Sequence, residues 1–268
     1  MKYCKTLLTN RPPSIGYEDI LQIKRSLHEK RMKENVDNDP AEMSVEIFNK
    51  SLEELWKNKK RKYEFILRGG YSLKNALYHL FKKVWETENI PEGWNKTTLL
   101  QLAKASGDSC DQDNTRFIHL IDQIPRVFSH MIISQVKETI MMNMTPYQIG
   151  TKKGHRPQEN ILVMISMMKL KEKQKTPMLI QLYDISKFFD KEHLPDVMEE
   201  LYSSGVKGKN YRLIYELNEK RVIKVNTPVG MTEEEEIEEG IGHGTLDGAI
   251  TSVNSKGKGD NRYFNSSP

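Results

Sequence analysis

The chain has 268 residues, of which 37% are hydrophobic and 29% charged, and a formal charge of +4. That leaves room for one or two domains with a core, while a charge this mild does not by itself mark a nucleic-acid protein. Two cysteines, Cys4 and Cys110, exclude a disulfide framework and a thiolate metal site, and the absence of an export signal or a long apolar run predicts an intracellular chain, nuclear or cytoplasmic, with no membrane partner.

Residues 1–60 read as a basic, helical and partly disordered N-terminal arm. IKRSLHEKRMKE is helical in period but mostly charged. NDPAEMSVEIFNKSLEELWKNKKRK is the better helix, with Met43, Ile47, Leu52 and Leu55–Trp56 about one turn apart. Its lysines and arginine at 57–62 fit either a solvated helix end or a phosphate-facing patch. Gly69–Gly70 interrupts the chain. SLKNALYHLFKKVWETENI then carries one apolar stripe, Leu73, Leu77, Leu80–Phe81 and Val84–Trp85, closed by Pro91 and Gly93.

TTLLQLAKA reads as a strand or a buried extended segment, and GDSCDQDNTR as a polar connection that lacks the central glycine and distal glutamate of a calcium loop. The chain turns apolar again from Phe117 to Ile121. Pro125 opens a helix marked by Val127–Phe128, Met131–Ile132, Val136 and Ile140. TPYQIGTKKGHRPQEN is a basic loop. NILVMISMMKLKEKQK is a helix whose Met164, Met167 and Met168 are expected to fill the core.

PMLIQLYDI is nearly continuous in apolar residues. Residues 178–184 are therefore expected to form an interior strand, followed by a helix from about Lys191 to Ser203 that ends at Gly205. VIKVN is a short strand from Val222 to Asn226. TEEEEIEEG carries six glutamates, with no apolar strand expected to fix them. GIGHGTLDGAITS is turn-like, and residues 256–268 read as a disordered tail.

Asp184 ends the expected central strand, where a carboxylate is costly unless solvated, paired or coordinated to a metal. A capping or surface role and a Mg2+-ligating role both fit. Asp190 sits where it could cap the following helix. Phe189 could wall a metal site or join the core. The glycines of GIGHGTLDG lack the Gly-Lys-Ser/Thr ending of a P-loop.

Taken in order, these segments resemble a reverse transcriptase domain of the non-LTR retrotransposon type, over roughly residues 60–255. NIPEGWNKTTLLQLAK resembles the proline-tryptophan segment that leads to a basic strand. DNTRFIHLIDQIPRVFSHMIISQV resembles the N-Y-R-P-I-S-L stretch, and YQIGTKKGHRPQENIL the Q-x-G-F-(R/K)-x-G-R-S-T-x-D loop. LIQLYDISKFFDKEHL is similar to D-L-S-K-A-F-D, and EGIGHGTLDGAITS to G-V-P-Q-G-S-x-L-S-P.

The resemblance implies an α+β fold, a partial polymerase fingers and palm at residues 61–255, with helices packed on a small, mainly antiparallel sheet and no thumb. Asp184 would be the first catalytic aspartate. It would hold Mg2+ together with the carbonyl of Ile185. Lys104 and Arg116 would grip the incoming triphosphate. Phe189 would be the gate against a ribose 2′-hydroxyl. Gly244 and Thr245 would shape the nucleotide pocket, and Gly154 and Arg156 the template side. RNA template and DNA primer would be the partners, held weakly. His243, Gly242 and Asp247–Ala249 depart from the family pattern, and no Asp-Asp pair occurs in the sequence. The expectation is therefore a truncated, retroelement-derived domain whose ancestral chemistry is Mg-dependent, RNA-templated DNA synthesis but which does not itself catalyse it. The alternative is a nucleic-acid-binding or protein-interaction module that reuses the fingers.

Overall fold

A computed structural model describes residues 17–34, 42–59, 64–103, 115–143, 154–182, 193–227 and 230–237. The helices are α1 (Tyr17–Met32), α2 (Val45–Lys59), α3 (Glu64–Arg68), α4 (Gly70–Thr87), α5 (Gln123–Asn143), α6 (Pro157–Lys173), α7 (Leu194–Ser203) and α8 (Gly208–Asn218). The strands are β1 (Lys96–Ala103), β2 (Thr115–Leu120), β3 (Arg221–Thr227), β4 (Gly230–Met231) and β5 (Glu235–Ile237). This is a mixed α+β fold with a small, open, mostly antiparallel sheet.

The helical core forms where apolar stripes meet. Leu77, Phe81, Val84 and Trp85 bury one face of α4, and Phe128, Met131 and Ile132 bury the facing side of α5. Phe81 lies at their junction, its ring 5.3 Å from Phe128, 5.9 Å from Phe48 of α2 and 6.0 Å from Trp94. These centroid separations lie in the range where edge-to-face and tilted ring pairs add to simple burial. The core draws on Met43, Phe48, Leu52 and Leu55 as well as on residues beyond 61, so the arm expected at 1–60 contributes side chains to the same cluster.

Two chain reversals show how the helices are stopped. Past α7, Gly205 adopts φ +90°, its N–H donates to the Tyr202 carbonyl, and the Val206 N–H donates to the Leu201 carbonyl. That is the paired hydrogen bonding of a Schellman turn, with Val206 and Leu201 both buried beside it. Glycine is required here, because a Cβ would sit 3.0 Å from the Thr139 methyl in an already left-handed conformation. Past α4, Glu88 turns left-handed without being glycine. Its carboxylate is clamped by Arg212 of α8, whose Nε and Nη2 donate at 2.5 and 2.8 Å. The bidentate, charge-assisted contact offsets the strain of that backbone.

In the sheet β1 sits between β2, antiparallel, and β3, parallel; the other edge of β3 pairs with β4 and β5, both antiparallel. Alternation puts Leu99, Ile223, Val225 and Ile237 on a buried face with Phe117 packed against them. His119 and Arg221 share that face, the arginine Nη2 donating to His119 Nδ1 at 3.1 Å.

Three expectations are corrected. Residues 178–182 form no strand and are not interior: Leu179 is 91% exposed and Leu182 84%. A continuous apolar run is compatible with central-strand burial but does not supply the partner strand that burial needs. The methionines of α6 do not fill a core, since that helix has no buried residue and Met167 and Met168 are exposed. The glutamate run is not without a strand, because Glu235–Ile237 pairs with β3 and Ile237 anchors it in the buried face. Helix α8 was not foreseen. Its buried Tyr211, Leu213 and Ile214 supply the signal that could have revealed it.

Candidate functional site

The expected triphosphate grip falls on the β1–β2 hairpin. TRFIHL and KTTLLQLA form extended chain because β-branched and apolar residues alternate with one face to bury. Their register pairs Ala103 with Thr115 and Leu102 with Arg116. Thr115 and His119 are buried on one face of this pair of strands, and its other face turns outward. Leu102, Ile118 and Leu120 line the same outer face and are all more than one-third exposed. Lys104 follows β1 directly in sequence and lies outside the described residues. So do Asp184, Ile185, Phe189, Gly244 and Thr245.

The two positions expected on a template side, Gly154 and Arg156, are among the described residues. Gly154 turns at φ +88° with no atom near its Cα that a Cβ would meet. Arg156 precedes α6 in extended conformation, and its backbone N–H donates to Glu159 Oε1 at 3.0 Å. His155 Nδ1 lies 2.6 Å from the other oxygen of Glu159, which holds that carboxyl below its usual range, and the Arg156 N–H lowers it further. Both Gly154 and Arg156 are exposed, so the Arg156 side chain stands at a solvated helix start.

Across the sheet, the negative charge of the glutamate run is partly spent. Glu234 Oε1 accepts from Lys224 Nζ at 2.9 Å and Oε2 from Lys96 Nζ at 3.0 Å. Lys224 first and Lys96 second hold its carboxyl below the ordinary glutamate range. Lys96 and Lys224 come from β1 and β3, neighbouring parallel strands whose register sets Thr98 opposite Lys224. No local pattern signals this triad, because 138 residues separate Lys96 from Glu234.

A second polar cluster ties α1 to α7 and α8. Lys24, His28 and Arg31 recur at helical spacing along one side of α1. Lys24 pairs with buried Asp196, and Arg31 pairs with Glu199. His28 Nδ1 lies 2.7 Å from the Tyr211 hydroxyl, and its ring centroid lies 3.9 Å from that of Tyr215. Burial pushes His28 below its usual value, with Arg31 adding to the shift and Glu219 and Glu29 opposing it. Burial likewise pushes the Tyr211 hydroxyl up to about 12, so it stays protonated and able to donate. The Arg31 guanidinium lies 3.9 Å over the Tyr202 ring, whose hydroxyl donates to Glu34 Oε2 at 2.5 Å. This cluster is a mutually satisfied helix junction rather than a cleft.

Among the described residues, no group of three or more histidine, cysteine, aspartate and glutamate side chains is placed to hold a metal ion. Among the same residues no helix is long and apolar enough to cross a membrane. A scan of the sequence against protein-family models finds no match.

Proposed function

We propose that the chain is a reverse-transcriptase-like fingers and palm segment that holds nucleic acid through phosphate contacts and does not itself extend a primer. The observation that carries this is the order of five family-like segments, from NIPEGWNKTTLLQLAK to EGIGHGTLDGAITS, along one chain. What supports it further is the antiparallel pairing of β1 and β2, with Arg116 near the start of β2 and Lys104 directly after β1 in the sequence. Arginine suits a phosphate because its fork donates to two oxygens together. The donor set for Mg2+ is Asp184 and the carbonyl of Ile185, in a sequence without an Asp-Asp pair. That set does not meet a two-metal centre, which needs several carboxylates to fix ions about 3.5–4 Å apart. The chain is therefore assigned binding and no nucleotidyl transfer.

The test has two arms. Affinity for an RNA–DNA hybrid should fall steeply with salt, since each phosphate contact releases counterions, and Arg116→Ala should weaken deoxynucleoside triphosphate binding more than twofold with the fold intact. Salt-insensitive binding, or an unchanged triphosphate affinity, refutes the assignment. In the second arm, extension of a labelled DNA primer on an RNA template with Mg2+ or Mn2+ should be absent. Template-dependent extension that disappears in Asp184→Asn would show that another carboxylate completes the centre.

A protein-interaction role is favoured by one separate observation. Helix α6 exposes Ile161, Leu162, Val163 and Leu170, and exposed apolar side chains gathered on one element are a feature of interaction sites. A light-scattering mass that is independent of concentration and of added partner would count against that role.

A further inference from the structure

We propose that the surface cleft between α3 and the turn leading into β1 is a docking site for an arginine side chain presented by a partner polypeptide. The cleft measures about 410 Å3, within the ~300–1,000 Å3 span of small-ligand sites. Its floor is Ile66 and Pro125, both buried. Two aromatic residues line it as well, Phe65, which is 71% exposed, and Trp94, which is half-buried. Two exposed carboxylates, Glu92 and Asp122, also line it, and no lysine or arginine takes part in it.

The Trp94 side and the backbone of the cleft are fixed before anything binds. The Trp94 ring packs against Phe81 and Phe128, at 6.0 and 5.3 Å between centroids. Its backbone is held in a turn, the Trp94 N–H donating to the Pro91 carbonyl at 3.2 Å. Asp122 stands at the head of α5, its carbonyl accepting from the Arg126 N–H. Phe65 is tethered by its neighbour Ile66, which is 1% exposed. Neither Glu92 nor Asp122 has an ion-pair partner among the described residues.

Aromatic faces and carboxylates attract the same kind of ligand. A ring face draws a cation through its quadrupole, a carboxylate pair accepts the guanidinium N–H groups, and the apolar floor accommodates the methylene stem. Charge singles the cleft out: on a chain of net +4 it gathers two acids and no base. Long-range attraction would bring no cationic partner to this molecule, so recognition must be local, one basic side chain at a time. Arginine is preferred to lysine because its planar head can stack on Trp94 while its edge meets the acids. The site stands apart from the phosphate-binding role, since its lining is acidic.

The experiment follows the Trp94 indole N–H resonance of the full chain during titration with the pentapeptide Ac-Ala-Ala-Arg-Ala-Ala-NH2. Saturable shifts in the millimolar range are expected. The lysine peptide should bind at least twofold more weakly, and the neutral citrulline peptide should not bind. Glu92→Gln, Asp122→Asn and Phe65→Ala should each weaken binding threefold or more. All three residues are exposed, and asparagine caps a helix as well as aspartate does, so the fold is retained. Absent shifts, a citrulline peptide bound within twofold of the arginine one, or a double Glu92→Gln, Asp122→Asn variant that binds as well as the parent would each overturn the proposal. Ethylguanidinium bound as tightly as the peptide would show a small-cation site instead and overturn the docking role.

Discussion

Replacing Phe81 with alanine tests the packing on which the whole helical layer rests. The side chain is 0% exposed and touches rings from three separate places: Phe48 on α2, Trp94 before β1 and Phe128 on α5. A buried phenylalanine cut to alanine loses about 3–5 kcal/mol, the spread reflecting how far the surroundings collapse into the void. Here collapse is restrained. Phe128 is itself wholly buried and held on a 21-residue helix, and the Trp94 turn is pinned by hydrogen bonds. The expected loss is therefore in the upper half, about 4.5 kcal/mol. Against a total stability of ~5–15 kcal/mol this should lower the urea midpoint sharply with little change in slope. Phe65→Ala is the control, since that ring is 71% exposed, and it should change stability by no more than ~0.5 kcal/mol. If Phe81→Ala loses under ~1.5 kcal/mol, or if the two variants lose the same amount, the aromatic junction is not the centre of the core.

Acidification should loosen the α1 junction. Burial holds His28 below its ordinary 6.5, so the folded state binds fewer protons there than the unfolded chain does. The stability this contributes is full above about 6.5 and is lost as pH falls through the folded value. Urea midpoints from pH 8 to pH 5 should drop in the parent and drop less in His28→Gln; parallel curves would refute the role. Gly205→Ala should destabilise by about 1–2 kcal/mol, from a left-handed alanine and a close Thr139 methyl, read from thermal or urea unfolding. Leu182→Asp should change stability by less than ~0.5 kcal/mol, because Leu182 is 84% exposed; a large loss would restore the interior strand.

Those outcomes track what the sequence made legible. The stripes of α4, α5 and α7 were readable because each has one apolar side at helical spacing, and β1 and β3 because apolar residues alternate between turn residues. Helix α1 was readable as a helix but not as a packed one. Its contacts run through Lys24, His28 and Arg31, a polar row to which hydrophobic periodicity is blind, and their partners lie some 170 residues away. The run at 178–182 misled for the converse reason, since apolar content says nothing about which surface will cover it. The docking cleft was invisible because Phe65, Glu92 and Asp122 meet only after α3, the Trp94 turn and the head of α5 have come together. The resemblance singled out Asp184, Phe189 and Lys104, which fall outside the described residues and rest on the motif order.

The parallel pairing of β1 with β3 carries a consequence for the newborn chain. β2 follows β1 closely, so that hairpin can form as soon as both strands have left the ribosome. The other edge of β1 must wait for Arg221, roughly 120 residues later. At the ~5–20 residues per second of synthesis, that is a delay of roughly 6–24 s. Throughout it, Lys96 to Leu100 present unpaired backbone donors and acceptors, with Leu99 and its apolar neighbours still uncovered. An open strand edge of this kind is what foreign strands and chaperones recognise. The yield of folded protein should therefore depend on translation speed between β2 and β3 more than on speed anywhere before Lys96.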